Sequence, residues 1–206
     1  MVTFNYKWIL TCLICTVFLY PAFSQRFTGG ISVGVVGSQV DGDTYSGYKK
    51  AGFTAGGWVN LAMSERTAFE VGLHYIQKGS RHNPDTLLSD LHVFLIKISY
   101  VEMPFLFQYK LNKKLFIEAG PSLGVMVSHQ ETLDYLNNER VPFRLLDFGS
   151  QIGLGYRIND ALKVGLRLGN SVASIRKGEY LGYRRRFGNT FGQYNNVLAL
   201  EIAYTL

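Results

Sequence analysis

The residues that come closest to a catalytic set are Ser128, His129 and Glu131, which lie together at the end of an alternating run. A serine nucleophile needs a histidine base within hydrogen-bond reach, as in hydrolases. Adjacent residues of a strand point to opposite faces of a sheet, so Ser128 and His129 would be held apart. We therefore expect that this run does not make the chain an enzyme.

Histidines and carboxylates also raise the question of a metal site. His82 and His92 share one polar stretch with Asp85 and Asp90, but the spacing is unlike that of a standard metal site. We expect these to be residues of a solvated loop, with no bound metal and no other cofactor. His74 lies inside an alternating run, where we expect a hydrogen-bonded interior residue rather than a catalytic one.

Single charged residues recur on one face of the alternating runs, among glycine and serine. If that face lines a narrow interior, opposite charges on it should form buried, hydrogen-bonded pairs that close the interior to solutes. The predicted network consists of Glu70, Glu102, Glu118, Arg157, Lys163, Arg167 and Glu201.

A basic cluster lies in the last long polar stretch of the chain. Guanidinium groups form bidentate contacts with phosphate, so this cluster is a candidate contact for lipopolysaccharide. A run of charge can equally be a solvated loop, and that alternative stays open here. The candidate contact residues are Arg176, Lys177, Arg184, Arg185 and Arg186.

Strands must position these side chains, and the stretch 98–128 shows their pattern best. Two alternating runs are joined there by a short turn that is rich in lysine. One face of each run is apolar, with residues such as Phe105 and Leu123, and the other carries glycine, hydroxyl and charged groups. Side chains of a strand alternate between two faces, so this stretch predicts a long β-hairpin.

The same pattern predicts eight strands whose connections alternate between long and short. Long loops at one end and short turns at the other are typical of outer-membrane barrels. We therefore predict an all-β chain that folds as an eight-stranded antiparallel up-and-down transmembrane β-barrel in the bacterial outer membrane. The predicted strands cover about 27–37, 51–61, 67–78, 98–109, 115–128, 145–158, 162–169 and 195–206.

The composition agrees with a β-rich chain. Of the 206 residues, 22 are glycine and only 17% are charged. The formal net charge of +6 comes with no helical basic face and no nucleic-acid motif, so nucleic acid is not an expected partner.

The beginning of the sequence has the features of a signal peptide. Lys7 precedes an apolar segment over 8–20, and small residues at 22 and 24 form a cleavage pattern. The apolar segment is too short for a membrane-spanning helix. We predict that residues 1–24 are a cleaved signal peptide and that residues 25–206 form the barrel domain. Both cysteines lie in the signal peptide, so the barrel domain has no disulfide.

Alternation alone does not say which face of the barrel is outside. A soluble, lipocalin-like ligand-binding barrel would turn its apolar face inward, whereas a membrane barrel turns it toward lipid. The less apolar face of this chain consists mainly of glycine and serine, which suits a narrow lumen better than a solvated surface. Lys97 alternates in step with the apolar residues, so a regular strand would point its charge toward lipid. Either Lys97 lies above the membrane boundary, or the regular strand begins after it.

Several short motifs occur within the predicted strands, namely YIQKG at 75–79, YVEMP at 100–104 and EAGPSLG at 118–124, with paired glycines near 149–155. These motifs resemble those of the PorT-like outer-membrane β-barrel proteins of Bacteroidetes. The resemblance implies a small barrel of the OmpA/OmpX type in the outer membrane. Founding members are implicated in type IX secretion, so it also implies an accessory role in protein secretion or surface assembly.

Taken together, we expect an integral outer-membrane barrel whose lumen is plugged by side chains and whose role is structural or accessory. Its expected partners are outer-membrane lipid, lipopolysaccharide and other envelope or secretion proteins. The alternatives are a secretion accessory that acts through its long extracellular loops, and a soluble ligand-binding barrel.

Overall fold

Alternating apolar and small side chains form β-strands throughout the described part of the chain. The computed structural model describes residues 27–43, 47–84, 93–134, 136–137, 142–177 and 192–206. Within these ranges, no helix is long and apolar enough to cross a membrane. The strands are β1 (Phe27–Asp41), β2 (Lys50–Ala62), β3 (Thr67–His82), β4 (Phe94–Lys110), β5 (Leu115–Leu133), β6 (Leu136–Asn137), β7 (Leu146–Arg157), β8 (Leu162–Ser171), β9 (Arg176–Lys177) and β10 (Gly192–Thr205).

Eight long strands close into a ring. Each pairs with its neighbour in the order β1-β2-β3-β4-β5-β7-β8-β10, and β10 pairs antiparallel with β1. The two-residue strands β6 and β9 pair with β5 and β10. Closure of the ring satisfies the backbone of strands that would otherwise lie at an edge. The predicted eight-stranded antiparallel up-and-down barrel is confirmed.

Three neighbouring strands, β3, β4 and β5, are longer than the sequence pattern predicted. β3 continues past Lys78 to His82, β4 begins at Phe94 instead of Ile98, and β5 continues to Leu133. Their ladders extend because His82 pairs with Phe94 and Phe94 pairs with Leu133. The added ends of β3 and β5 are polar, which made them resemble loops in the sequence, whereas the added start of β4 is largely apolar.

The three short turns share one construction. In each turn the side-chain oxygen of the second residue accepts hydrogen bonds from the backbone N–H groups two and three residues further on. Such side-chain bonds replace the backbone partners that a tight reversal cannot supply. The acceptors are Ser64 Oγ at 3.2 and 3.0 Å, Asn112 Oδ1 at 2.8 and 2.8 Å, and Asn159 Oδ1 at 3.0 and 2.8 Å.

The outward face of the barrel is apolar and exposed. Leu154 and Leu166 are 47% and 46% exposed, and Phe105 and Leu123 are half-buried at outward positions. A soluble lipocalin-like barrel would bury such residues inside, so that alternative is wrong. Lys97 lies within β4 and points outward, so the regular strand does not begin after it.

The loop end of the interior is filled by apolar side chains, which the sequence pattern did not predict. Ile96, Ile98 and Tyr100 of β4 are almost completely buried there. We call the buried apolar set the apolar plug. It consists of Val36, Val40, Ile76, Phe94, Ile96, Ile98, Tyr100, Phe143, Ile175, Val197 and Ala199.

Candidate functional site

The lumen near the short turns is held together by a group of ion pairs, which we call the basal cluster. Its residues are Glu70, Glu118, Lys163, Arg167 and Glu201. The guanidinium group of Arg167 lies 2.8 Å from Glu118 and 3.4 Å from Glu201, and also 3.8 Å from Glu70. The ammonium group of Lys163 lies 2.7 Å from Glu70. One guanidinium therefore joins carboxylates from three different strands.

An amide and two glycines complete the basal cluster. The amide of Gln108 donates hydrogen bonds to Glu70 at 3.0 Å and to Glu118 at 2.9 Å. A Cβ at Gly153 would lie 2.8 Å from Glu118 Oε1, and a Cβ at Gly34 would lie 2.8 Å from the Glu201 side chain. The glycines on the inward face therefore leave the space that the long charged side chains occupy.

A second group, the upper cluster, lies between the basal cluster and the apolar plug. The ammonium group of Lys78 forms an ion pair with Glu102 and lies 3.2 Å from Asp147. All three side chains are buried. The remaining hydrogen bonds of the two carboxylates come from Gln151 to Glu102, and from Ser171 (2.7 Å) and Asn195 (2.9 Å) to Asp147.

The predicted network maps onto these two clusters only in part. Five of its seven residues form the basal cluster, whereas Glu102 lies in the upper cluster. Arg157 is exposed at the short-turn end, and no ion pair joins it to another described residue. Lys78 and Asp147 were absent from the predicted network, although their inward parity in the sequence is the signal that marks them as lumen residues.

The loop end of the lumen is covered by a cap made from Phe143, Ile175 and Arg176. Ile175 is completely buried, and its backbone N–H donates a hydrogen bond to the carbonyl of Gln193 at 2.8 Å. Arg176 forms a bidentate pair with Glu131 at 2.6 and 3.2 Å. Its guanidinium carbon lies 3.7 Å from the centre of the Phe143 ring.

The position of Arg176 in the cap argues against its predicted contact with lipopolysaccharide. The residue is only 4% exposed, and both terminal nitrogens of its guanidinium group bind Glu131. It is therefore a structural residue of the cap rather than part of a solvated surface. Of Lys177 only the backbone is described, and Arg184, Arg185 and Arg186 lie outside the described residues, as do His92, Asp85, Asp90 and residues 1–24.

The candidate catalytic run is not assembled into a catalytic site. Ser128 pairs with the outward residue Ser99, while His129 pairs with the inward residue Ile98, so their side chains leave on opposite faces. Glu131 is bound by the cap arginine. Within the described ranges, no group of three His, Cys, Asp or Glu side chains is placed to hold a metal ion.

His74 lies in the interior between the two clusters. It is 5% exposed, and its Nε2 lies 3.4 Å from the hydroxyl oxygen of Ser32. The two cavities that His74 lines measure about 20 Å³ each. A cavity of that size holds about one water molecule.

Comparisons with known proteins agree with this architecture. Residues 22–175 match a family model described as "Outer membrane protein beta-barrel domain". No curated protein sequence matches the chain.

Several solved structures of outer-membrane proteins match this chain at very low sequence identity. Neisserial surface protein A (NspA) is 7% identical with a TM-score of 0.50, over 87% of this chain and 96% of that chain. Ail, the attachment invasion locus protein of Yersinia pestis, in complex with the heparin analogue sucrose octasulfate, is 10% identical with a TM-score of 0.49, over 88% and 99%. OprG from Pseudomonas aeruginosa is 9% identical with a TM-score of 0.39, over 87% and 94%.

Proposed function

The chain belongs to the outer membrane protein beta-barrel domain family and lies in the bacterial outer membrane, and we propose that it serves there as a closed barrel with a structural or accessory role. The observation that carries this proposal is the filled lumen. Two ion-paired clusters and the apolar plug, which the cap closes, follow one another along the axis. Two interior cavities hold about one water each, and a cavity of about 120 Å³ lies beside Lys163 at the short-turn end. The part of the lumen that the structure describes therefore supports a barrel that is closed to solutes.

Electrical recording in planar bilayers tests the closed lumen. Purified barrel is inserted into the bilayer, and an open porin serves as the positive control for insertion and detection. We expect no conductance steps from the wild-type barrel, and none from Arg167→Ala, because the upper cluster, the plug and the cap remain in that variant. Regular conductance steps from the wild type would contradict the proposal.

A second candidate function is an accessory role in protein secretion or surface assembly, as in the PorT-like group. The support is the resemblance of the motifs at 75–79, 100–104 and 118–124 to that group. Deleting the gene and comparing the secreted proteins with those of the wild type tests this role. A secretion defect that is restored by the intact gene favours the accessory role, and an unchanged set of secreted proteins favours a purely structural one.

The long loops provide a further proposed contact, in which Lys177, Arg184, Arg185 and Arg186 bind lipopolysaccharide phosphates. Reversal of the three arginine charges should then reduce the lipopolysaccharide that copurifies with the barrel. Unchanged copurification would show that these residues form only a solvated loop.

We also propose that residues 1–24 are removed on export. The expected result of N-terminal sequencing of the outer-membrane form is a first residue at Gln25. An uncleaved N-terminus would contradict it.

A further inference from the structure

The outer wall of β3 and β4 changes from apolar to polar toward the loop end. Leu73 and Val101 are outward apolar residues. One step further toward the loops, the hydroxyl of Tyr75 donates a hydrogen bond to Ser99 at 2.9 Å, and Gln77 lies 3.4 Å from the same hydroxyl. Polar groups are costly in hydrocarbon, and tyrosines are common at the membrane interface. The hydrocarbon boundary of the outer leaflet therefore lies near Tyr75 and Ser99.

A basic groove of about 760 Å³ lies at and above this boundary. It is formed by the loop-side ends of β2, β3, β4 and β5, and none of the described residues that line it is Asp or Glu. The groove therefore concentrates positive charge at the level of the lipid headgroups. Its lysine and arginine residues are Lys49, Lys50, Arg81 and Lys97.

Lys50 is a buried cation in this groove, and no carboxylate among the residues that the structure describes is its partner. The residue is 5% exposed, and its ammonium group lies 3.5 Å from the carbonyl of Ala51. The nearby charge of Lys97 repels it. Its side chain passes over Gly79, which has φ 137°, and a Cβ there would lie 2.9 Å from Lys50 Cδ. The missing side chain of Gly79 therefore leaves room for the lysine to pass over the strand.

The cations inside the barrel differ from Lys50, because they have carboxylate partners. In the described part of the chain, Lys78, Lys163, Arg167 and Arg176 each form an ion pair with a carboxylate of the barrel. A buried charge without a partner is strongly destabilising. Lys50 therefore leaves a buried positive charge that an anion from outside the chain would neutralise, and the exposed Lys97 beside it adds to the same positive charge.

We propose that Lys50, Arg81 and Lys97 bind the phosphate of an outer-leaflet lipid on the outer wall of the barrel. The Nε of Arg81 donates to Asn83 at 2.7 Å, which orients the guanidinium group, and no other described residue binds its terminal nitrogens, which can therefore contact phosphate. The groove opens beside the apolar wall at Leu73 and Val101, where the acyl chains of the same lipid would lie. A lipid satisfies both surfaces at once, whereas a soluble phosphate satisfies only the cations.

Binding of lipid A to the purified full-length barrel in detergent tests this site. The number and affinity of bound lipids are measured by native mass spectrometry for the wild type, Lys97→Gln and the double variant Lys97→Gln, Arg81→Gln. Lys113→Gln is the matched control, because it removes the same charge from an exposed turn at the opposite end of the barrel. Heat-modified mobility on gels verifies that every variant is folded.

We expect the affinity for lipid A to fall about fivefold in Lys97→Gln and about 30-fold in the double variant, with no change in Lys113→Gln. Lys97→Arg should retain binding. Unchanged affinity in the double variant would overturn the site. Dephosphorylated lipid A that binds the wild type as tightly as lipid A would overturn the role of phosphate. Complete competition by inorganic phosphate at the same concentration as lipid A would show that the ligand is a free anion and overturn the assignment to a lipid.

Discussion

At the scale of single residues, Arg167 is the central side chain of the lumen. Its guanidinium group is the ion-pair partner of Glu118 and Glu201, whereas Glu70 also has Lys163. Without Arg167, two buried carboxylates would lose their counter-charge in a region that water hardly enters. Loss of one partner of a buried pair costs more than the pair itself contributes, because the remaining charge stays buried.

Arg167→Ala should therefore lower the free energy of unfolding by about 3–5 kcal/mol. The measurement is denaturant unfolding of the barrel in lipid vesicles, supported by the temperature at which the folded band disappears on gels. Arg157→Ala is the control, because Arg157 has the same inward parity in sequence but is exposed and forms no ion pair with a described residue. Equal losses in the two variants would contradict the assigned role of the basal cluster.

At the scale of the elements, the short turns and one β-bulge determine how the strands are aligned. Each short turn is closed by a side-chain oxygen that accepts two backbone hydrogen bonds. The pairing of β4 with β5 contains a register shift, since Ser99 pairs with Ser128 but Tyr100 pairs with Met126. The extra residue, Val127, reverses the parity of the strand end, and Glu131 then points inward to the cap.

Asn159→Ala should destabilise the turn between β7 and β8 by about 1 kcal/mol, since two backbone N–H groups lose their acceptor. Asn159→Asp keeps an acceptor oxygen at the same position and should retain most of the stability. Unfolding of both variants in vesicles provides the comparison. If Asp is as destabilising as Ala, the side-chain hydrogen bonds do not explain the turn.

At the scale of the whole molecule, the distribution of polar and apolar side chains is the reverse of that in a soluble protein. Its bulky apolar side chains cover the outside, while its ion pairs lie along the axis. In the outer membrane this arrangement exposes the apolar residues to hydrocarbon and keeps the charges paired within the lumen. The outward positions near mid-strand should therefore be the most sensitive to charge.

Ile152→Arg should destabilise the barrel by about 2–4 kcal/mol, because Ile152 is an exposed outward residue in the middle of β7. Tyr109→Arg, near the short-turn end of β4, should cost about 0–1 kcal/mol because the side chain reaches the interface. Unfolding in vesicles gives both values. Similar small losses at the two positions would be inconsistent with contact between Ile152 and hydrocarbon.

The sequence alone determined the class of fold, the order of the strands and which face of most strands is apolar. These features depend on the local alternation of apolar and polar residues and on the lengths of the connections, and both can be read directly from the sequence. Lys78 and Asp147 also had a readable inward parity, but their pairing with each other required strands that are distant in sequence to meet across the lumen.

Only the tertiary structure decided the rest. A bulge changed the parity of Glu131, ring closure brought Arg167 between carboxylates of different strands, and the chain after β8 folded Arg176 into the mouth of the barrel. Separation of Lys50 from every described carboxylate was likewise a matter of three-dimensional placement. Charges of one sign or the other can be read from a sequence, but which of them become partners depends on contacts across the barrel.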